Sequence, residues 1–419
     1  MKKIIRKLKI IWWWVKSLFA IHYYGNPSKK LKVVGVTGTS GKTTTATLLY
    51  RIAIALDYKA GLLGTVENLI NGEKIVTNEK GPSTTPDSVT LSKIFNQMVQ
   101  EGCEYVFMEV SSHALDQNRV AGVNFIGGIF TNLTQDHFDY HKNFENYFAA
   151  KKKFFNMLSP RAFALTNADS EYGLKMLADI KANQFSYGFL GDENNVHFHG
   201  EIKKLDFHGL DLFFNKIEVR SKLLGKFNAY NLLAVWSACS LLGFDMLKVN
   251  KILENITPPS SRFEYFMSPK GVIGVVDYAH KPDALENVIS TARGIVEEAG
   301  KSGRVISVFG CSGDKDPFKR PIMGKIGASL SDFSIFTSDN PRSEDPASIL
   351  EQMTPNLSSE ELKKIKIIVD RDEAIKEISK IVKENDIVLL MGKGHETYQD
   401  IKGVKYPWSE MDRLKKALQ

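Results

Sequence analysis

Seven consecutive residues, Gly38-Thr39-Ser40-Gly41-Lys42-Thr43-Thr44, have the types and order that hold a polyphosphate. Glycines let backbone amides approach phosphate oxygens, a following helix N-terminus favours anions, and the Lys42 ammonium reaches the β- and γ-phosphates. Thr43 stands where such loops supply a hydroxyl to Mg²⁺. The usual spacing also asks for glycine at position 36, where this chain has Val36, so the loop alone also reads as a glycine turn with a surface lysine. Three further groups draw attention. Glu109 ends an apolar run at a sheet edge, where ligands sit in open α/β folds. His137 reads either as a ligand or as a capping or core histidine. Lys151 precedes Lys152 and Lys153, which suggests a solvated basic helix face.

The elements that must position these residues alternate between strands and helices. Lys32–Val36 is a short β-branched run, the glycine loop follows it, and a helical stretch runs on to about Leu56. Strand-loop-helix context decides for phosphate binding. Further strands are expected over Tyr105–Val110, Phe125–Phe130 and Ala162–Thr166, with a helix over Asn143–Leu158. Residues 196–222 read as an antiparallel excursion, and a helix starts near Asn228. Pro258-Pro259-Ser260-Ser261 is the best linker candidate. Beyond it a second series begins at Val272–Val276, Val305–Phe309, Phe333–Thr337, Ile365–Val369 and Ile387–Met391. The expected class is α/β: a P-loop central domain over 31–258 with a mostly parallel sheet, then a doubly wound, Rossmann-like C-terminal domain over 259–419.

Charge is uneven across the 419 residues, whose net charge is +7. Residues 1–30 hold eight cations and no acid, leaving 47 cations against 48 acids in the rest. A near-neutral body argues against nucleic acid as a partner. Three cysteines without regular spacing exclude a disulfide framework or structural zinc site and fit a reducing cytoplasm. The leader, residues 1–30, carries three of the five tryptophans, Trp12 to Trp14. Lys9 and Lys16 break its apolar run below the roughly 20 residues needed to span a bilayer. Its composition suits peripheral contact with a membrane interface through residues 1–24, at the inner face; the alternative is packing on the body or a partner.

Seven segments occurring in order carry a resemblance. GTSGKTT, MEVSSHALDQNRV (108–120), TNLTQDHFDYH (131–141), YFAAKKKFF (147–155), GKFNAYNLLAV (225–235), DYAHKPDAL (277–285) and DNPR (339–342) together resemble the MurE type of the Mur ligase family. The resemblance implies an ATP-dependent amide ligase of peptidoglycan synthesis. In it the ATP γ-phosphate passes to a substrate carboxylate, and an amine attacks the resulting acyl phosphate. The substrates it implies are UDP-MurNAc-L-Ala-D-Glu, a muropeptide acceptor, and a diamino acid, meso-diaminopimelate.

Residue by residue, the resemblance makes Lys42, Glu109, His137 and Lys151 catalytic, with ATP bound by Gly38, Thr39, Ser40, Gly41, Lys42, Thr43 and Thr44. Glu109 and His137 would hold a second Mg²⁺, Thr43 the nucleotide Mg²⁺, and Lys151 would carry a CO₂-derived carbamate (N6-carboxylysine) that helps organise the metals. Asn228 and Asn231 match residues near the base, Asp277 a ribose contact, and Arg262 a nucleotide or phosphate contact. ATP between two domains implies closure over the substrate. Thr84, Thr85, Ser111, Gln117 and Arg119 would read the acceptor peptide. Arg320, Asp339, Asn340, Arg342, Gly392 and Glu396 would read diaminopimelate, with arginine gripping its distal carboxylate and Glu396 its ammonium.

The match departs from the family at its start. The family carries an N-terminal domain that grips the UDP end, and 30 residues before the first expected strand are too few for that fold. Tyr406-Pro407-Trp408-Ser409-Glu410 is a loose match. Two other readings therefore stand beside the first: a ligase of the same chemistry acting on a recycled or lipid-linked carboxylate peptide, and a noncatalytic nucleotide-binding partner of cell-wall enzymes. Folate-polyglutamate and cyanophycin ligases share the fold, but the DNPR and SSHALDQNR segments argue against them.

Overall fold

The computed structural model describes residues 2–75, 84–134, 136–191, 193–206, 208–259, 263–298, 300, 302–394 and 396–419, with side chains from residue 9 onward, Asp139 apart. Arg262 lies outside the described residues. The chain divides into two compact units. The first holds residues 1–204, 210–223 and 227–257; the second holds 258–419 with the short pieces 205–209 and 224–226.

The first unit begins with α1 (Lys2–Tyr23), β1 (Lys32–Thr37), α2 (Lys42–Ala55), β2 (Ala60–Leu63), β3 (Asn68–Ile70), β4 (Glu73–Lys74), α3 (Ser88–Gln100) and β5 (Tyr105–Glu109). Then come α4 (Ser112–Asp116), β6 (Phe125–Phe130), α5 (Phe138–His141), α6 (Phe144–Asn156), β7 (Phe163–Asn167), α7 (Gly173–Leu177) and β8 (Asn183–Gly188). It closes with β9 (Phe198–Asp206), β10 (Gly209–Phe214), β11 (Ile217–Ser221), α8 (Lys226–Leu241) and α9 (Met246–Asn255).

Among the described residues these strands form one sheet, ordered β11-β10-β9-β8-β7-β6-β1-β5-β2-β3-β4. Neighbours from β9 across to β2 run parallel, while β10–β11 and β2–β3–β4 are antiparallel. A parallel sheet is covered on both faces, so its strands read as unbroken apolar runs. Val33, Val34 and Val36 of β1 and Val106, Phe107 and Met108 of β5 are fully buried. Because β1 lies between β5 and β6, strand order reverses around it. That reversal opens a crevice at the carboxyl ends of β1, β5 and β6.

Helix α6 is capped by Asn143, whose side chain accepts from the Asn146 amide. Its buried residues Tyr147, Ala150, Lys151, Phe154 and Phe155 recur at three- and four-residue spacing. Lys151 thus occupies the buried stripe, and the reading of three lysines on one solvated face fails there. Helix α1 also turns one face inward. Ser17, Ala20 and Ile21 are buried, the Ser17 hydroxyl donates to the Asn118 carbonyl at 2.7 Å, and Lys16 pairs with Asp87 at 3.2 Å. The other face stays outside: Ile11, Trp12, Val15, Phe19 and Tyr23 are exposed, Phe19 by 71%. The inward face thus packs on the body, and the outward face carries exposed apolar and aromatic side chains.

The second unit runs β12 (Glu264–Met267), β13 (Ile273–Asp277), α10 (Pro282–Glu298), β14 (Val305–Phe309), α11 (Lys319–Leu330), β15 (Phe333–Phe336) and α12 (Pro346–Glu351). It continues with α13 (Ser359–Leu362), β16 (Ile365–Ile367), α14 (Arg371–Ile381), β17 (Ile387–Met391), β18 (Tyr398–Ile401), β19 (Val404–Pro407) and α15 (Glu410–Leu418). The sheet order is β12-β13-β17-β14-β15-β16, antiparallel only at β12, with β18–β19 a separate hairpin. The loosely matched segment near residue 408 has a structural task. Glu410 forks onto the fully buried Arg371 at 2.7 and 3.2 Å and accepts from the Trp408 indole at 2.8 Å, tying α15 to α14.

Candidate active site

The phosphate loop leaves β1 at Thr37 and enters α2 at Lys42. Gly41 caps α2 in a left-handed conformation, φ +83°, and gives it no side-chain cap. The first-turn amides of α2 are therefore open to an anion. A Cβ at Gly41 would lie 2.5 Å from the Asn231 side-chain oxygen, so this turn requires glycine. The loop after β6 clamps the other side. The Thr39 amide donates to the Asn132 carbonyl at 2.9 Å, the Ser40 amide to the Asn132 side chain at 2.9 Å, and the Thr131 hydroxyl to the Ser40 carbonyl at 2.6 Å. Thr43 and Thr44 are buried in the first turn.

Two lysines converge on one oxygen. Lys42 Nζ donates to the Gly38 and Thr39 carbonyls at 2.9 and 2.8 Å, and Lys151 Nζ donates to the same Gly38 carbonyl at 2.7 Å. Lys151 is 1% exposed. Burial holds its ammonium well below the usual lysine range, the Lys42 charge pushes the same way, and Asp136 opposes both. A neutral amine at this position is a nucleophile. Its Nζ also lies 4.7 Å over the Tyr147 ring, whose hydroxyl meets the Thr39 hydroxyl at 3.1 Å.

Glu109, at the end of β5, is 1% exposed and accepts from the Thr65 amide at 2.7 Å and the Thr65 hydroxyl at 3.2 Å. The Thr65 hydroxyl also lies 3.0 Å from that of Thr84. The five expected acceptor-peptide residues are joined by hydrogen bonds around this strand end. Thr85 donates to the Glu109 carbonyl at 2.8 Å and accepts from the Ser111 amide at 3.0 Å. Arg119 donates to the Thr85 carbonyl at 2.8 Å and forks onto the Gln117 side chain at 2.9 and 2.7 Å. His137 caps α5 at φ +56°, pairs with Asp136 at 3.2 Å and meets the His113 ring edge-on at 4.8 Å. It occupies the N-cap position of α5 without a side-chain cap hydrogen bond, and its imidazole is partly exposed. Among the described residues no three His, Cys, Asp or Glu side chains form a ready metal cluster.

On α8, Asn231 donates to Asn228 at 3.1 Å, and both are buried. Asn231 thereby stands against the phosphate loop at Gly41.

In the second unit, Asp277 accepts from the Phe263 and Ala279 amides, each at 2.8 Å. The DNPR segment and the loop after β17 come together. Asn340 donates to Glu396 at 2.7 Å and accepts from Lys393 at 2.9 Å. Asp339 accepts from Ser312 at 2.9 Å, and Gly392 turns beside it at φ +112°. Arg342 is held by backbone bonds to β18 at φ +52°, with its Nε buried and unpartnered. Arg320, expected to read diaminopimelate, is bonded within its own unit. It is 1% exposed on α11, and its terminal nitrogens donate to Glu344, each at 2.8 Å, and to Gln352 at 2.8 Å, tying α11 to the two ends of α12, while its buried Nε has no partner.

Residues 36–239 match the Mur ligase middle domain, and residues 261–394 match the Mur ligase glutamate ligase domain. The chain belongs to the Mur ligase family. It is 48% identical over 399 residues, 95% of this chain and 80% of the other, to the UDP-N-acetylmuramoyl-L-alanyl-D-glutamate–2,6-diaminopimelate ligase of Parabacteroides distasonis. The same-named protein of Aquifex aeolicus is 40% identical over 403 residues, again 95% of this Mur ligase and 80% of that protein. A solved structure of a ligase of that name superposes with TM-score 0.66 at 30% identity, covering 93% of this chain and 78% of that one. Folylpolyglutamate synthase of Thermotoga maritima shares the fold, with TM-score 0.69 at 16% identity and 90% of both chains covered.

Sequence reasoning passed over several site residues. Asn132 and Asp136 lie inside the quoted segment TNLTQDHFDYH, and Lys393 inside GKGHE, so their neighbours were a usable signal. Thr65 stands in no motif, and only the fold brings it to Glu109.

Proposed function

We propose that this Mur ligase joins meso-diaminopimelate to the D-Glu carboxylate of UDP-MurNAc-L-Ala-D-Glu at the expense of ATP. The observation that carries the reading is the meeting of Lys42 and Lys151 on the Gly38 carbonyl, at the mouth of an uncapped helix N-terminus. The first-turn amides of α2 and Lys42 hold the triphosphate; Asn228 and Asn231 back the loop, and Asp277 contacts the ribose. Lys42 offsets the repulsion as the γ-phosphoryl group meets the substrate carboxylate, breaking its bond to ADP and forming an acyl phosphate. The diamino acid's amine attacks the acyl carbon, phosphate leaves, and the surplus ammonium proton passes to water.

Thr43 would hold the nucleotide Mg²⁺ and Glu109 with His137 a second one, and these ions would offset the negative charge of the phosphates. The buried Lys151 amine, whose burial disfavours the ammonium form, takes up CO₂, forming an N–C bond and releasing one proton, and so becomes an anionic group beside the loop. Thr84, Thr85, Ser111, Gln117 and Arg119 bind the acceptor peptide. Arg342 pairs with the distal carboxylate of diaminopimelate, which lysine lacks, and Glu396 with its ammonium. The test is purified protein with ATP, Mg²⁺, the UDP-linked dipeptide and either amino acid, with product mass read out. Ligation of diaminopimelate with ADP release supports the reading; no product, or a preference for lysine, overturns it.

The enzyme works in the cytoplasm, peripherally at the inner membrane face. The support is the exposed stripe of Ile11, Trp12, Val15, Phe19 and Tyr23 on α1, in a leader with eight cations and no acid. No described helix is long and apolar enough to cross a membrane, and aromatic and basic side chains on one helix suit a headgroup layer. The uniform charge opposes pairing of this face with a second copy and favours anionic lipid. Flotation on phosphatidylglycerol vesicles, lost on Trp12→Ser with Phe19→Ser, supports this. Equal flotation of both proteins, or self-association lost with the same substitutions, overturns it.

A further inference from the structure

Lys393 has no exposed surface, yet it is a lysine one residue past the end turn of a central strand, β17, beside the second-substrate residues. A buried ammonium persists only where acceptors surround it. Its Nζ donates to the Asn340 side-chain oxygen at 2.9 Å and to Glu396 Oε2 at 3.3 Å, and lies 3.8 Å from Asp339 Oδ1. The Asn340 oxygen also accepts from the Asp400 amide at 2.9 Å. Two donors on that oxygen fix which way the amide faces, so Asn340 Nδ2 must point at Glu396, and it does so at 2.7 Å. Both bonds to Glu396 land on Oε2; Oε1 has no hydrogen bond among the described residues.

We propose that Lys393 is a positioning residue for the amine-bearing substrate: it locks Asn340 and one oxygen of Glu396, leaving the other oxygen aimed at an incoming ammonium. The inference rests on the ligase reading and deepens it. The arrangement accounts for three charges at once. Asp339 and Glu396 exceed Lys393 by one negative charge, which a substrate ammonium completes. Arg342, with its unpartnered Nε, faces the opposite need, a carboxylate. A diamino acid with an ammonium and a carboxylate on its distal carbon satisfies both. Burial lowers the Lys393 ammonium below its usual range, while Asp339 and then Glu396 pull it back towards the charged form against Arg371.

The experiment is steady-state ligation with the full chain and Lys393→Met, which keeps the apolar stem and removes the charge. The expected result is a KM for diaminopimelate raised on the order of tenfold or more, the usual cost of losing a hydrogen bond to a charged group. The KM for ATP stays unchanged, and so does discrimination against lysine, which shares the ammonium and lacks only the carboxylate that Arg342 reads. An unchanged KM for diaminopimelate, or equal losses in kcat and in both KM values, overturns the proposal. If Lys393→Met shows no cooperative melting, Lys393→Gln, which keeps a donor for Asn340 without the charge, carries the same comparison. An unmodified chain that ligates neither amino acid overturns the ligase reading and this inference together; the variant results bear on this inference alone.

Discussion

Lys151 is the residue whose chemistry depends most on where the fold puts it. Its neighbours Lys152 and Lys153 reach solvent, whereas Lys151 shares the Gly38 carbonyl with Lys42 in a buried site. Burial, and then the Lys42 charge, both disfavour the charged form of Lys151. Lys151→Ala should therefore lower kcat about a hundredfold or more, in line with loss of a preorganised electrostatic group, while leaving binding of a fluorescent ATP analogue intact. A variant with full kcat would contradict the role. The residue types of the phosphate loop were legible because glycine, lysine and threonine at that spacing have few other uses. The partners of Arg320 were not legible, because nothing in its own segment reveals that Glu344, 24 residues later, occupies its fork.

At the scale of elements, most strands buried on both faces were readable, though β2 was passed over, and the partly exposed β9–β11 were legible only as one antiparallel excursion. Expected boundaries for β1, β5, β6, β7, β13, β14, β15 and β17 fall within about a residue of those observed, since each is dominated by apolar residues. β8, with the sequence NQFSYG, and the β18–β19 hairpin escaped notice because their polar residues match no simple alternation. The residue pairs joining elements were equally invisible. Arg371 on α14 and Glu410 on α15 are 39 residues apart and both fully buried. Glu410→Ala leaves the Arg371 charge unpaired inside the second unit, which should cost about 3–5 kcal/mol of that unit's stability. Urea unfolding followed by the signal of Trp408 checks it; a loss under 1 kcal/mol, the usual worth of an exposed pair, would mean the pair is not buried in solution.

At the scale of the molecule, thiol chemistry gives a test of the whole packing. Burial pushes Cys103 up to about 11 and Cys311 to about 12, and raises Cys239 further still. All three are free and buried. A native sample should show no fast reaction with a chromogenic disulfide reagent at neutral pH, and three equivalents after denaturation. A rapidly reacting thiol would show a unit opened beyond what its core allows. The tryptophans give the same molecule an optical map. Trp236 is buried in the first unit, Trp408 is half-buried in the second with Arg413 stacked 3.9 Å from its ring, and Trp12 and Trp14 stand in solvent on α1. Emission from the intact chain is thus a sum of a blue core component and a red component from one helix. Replacing the α1 tryptophans with phenylalanine would leave one dye-free reporter in each unit, so that the two could be watched separately during a catalytic cycle.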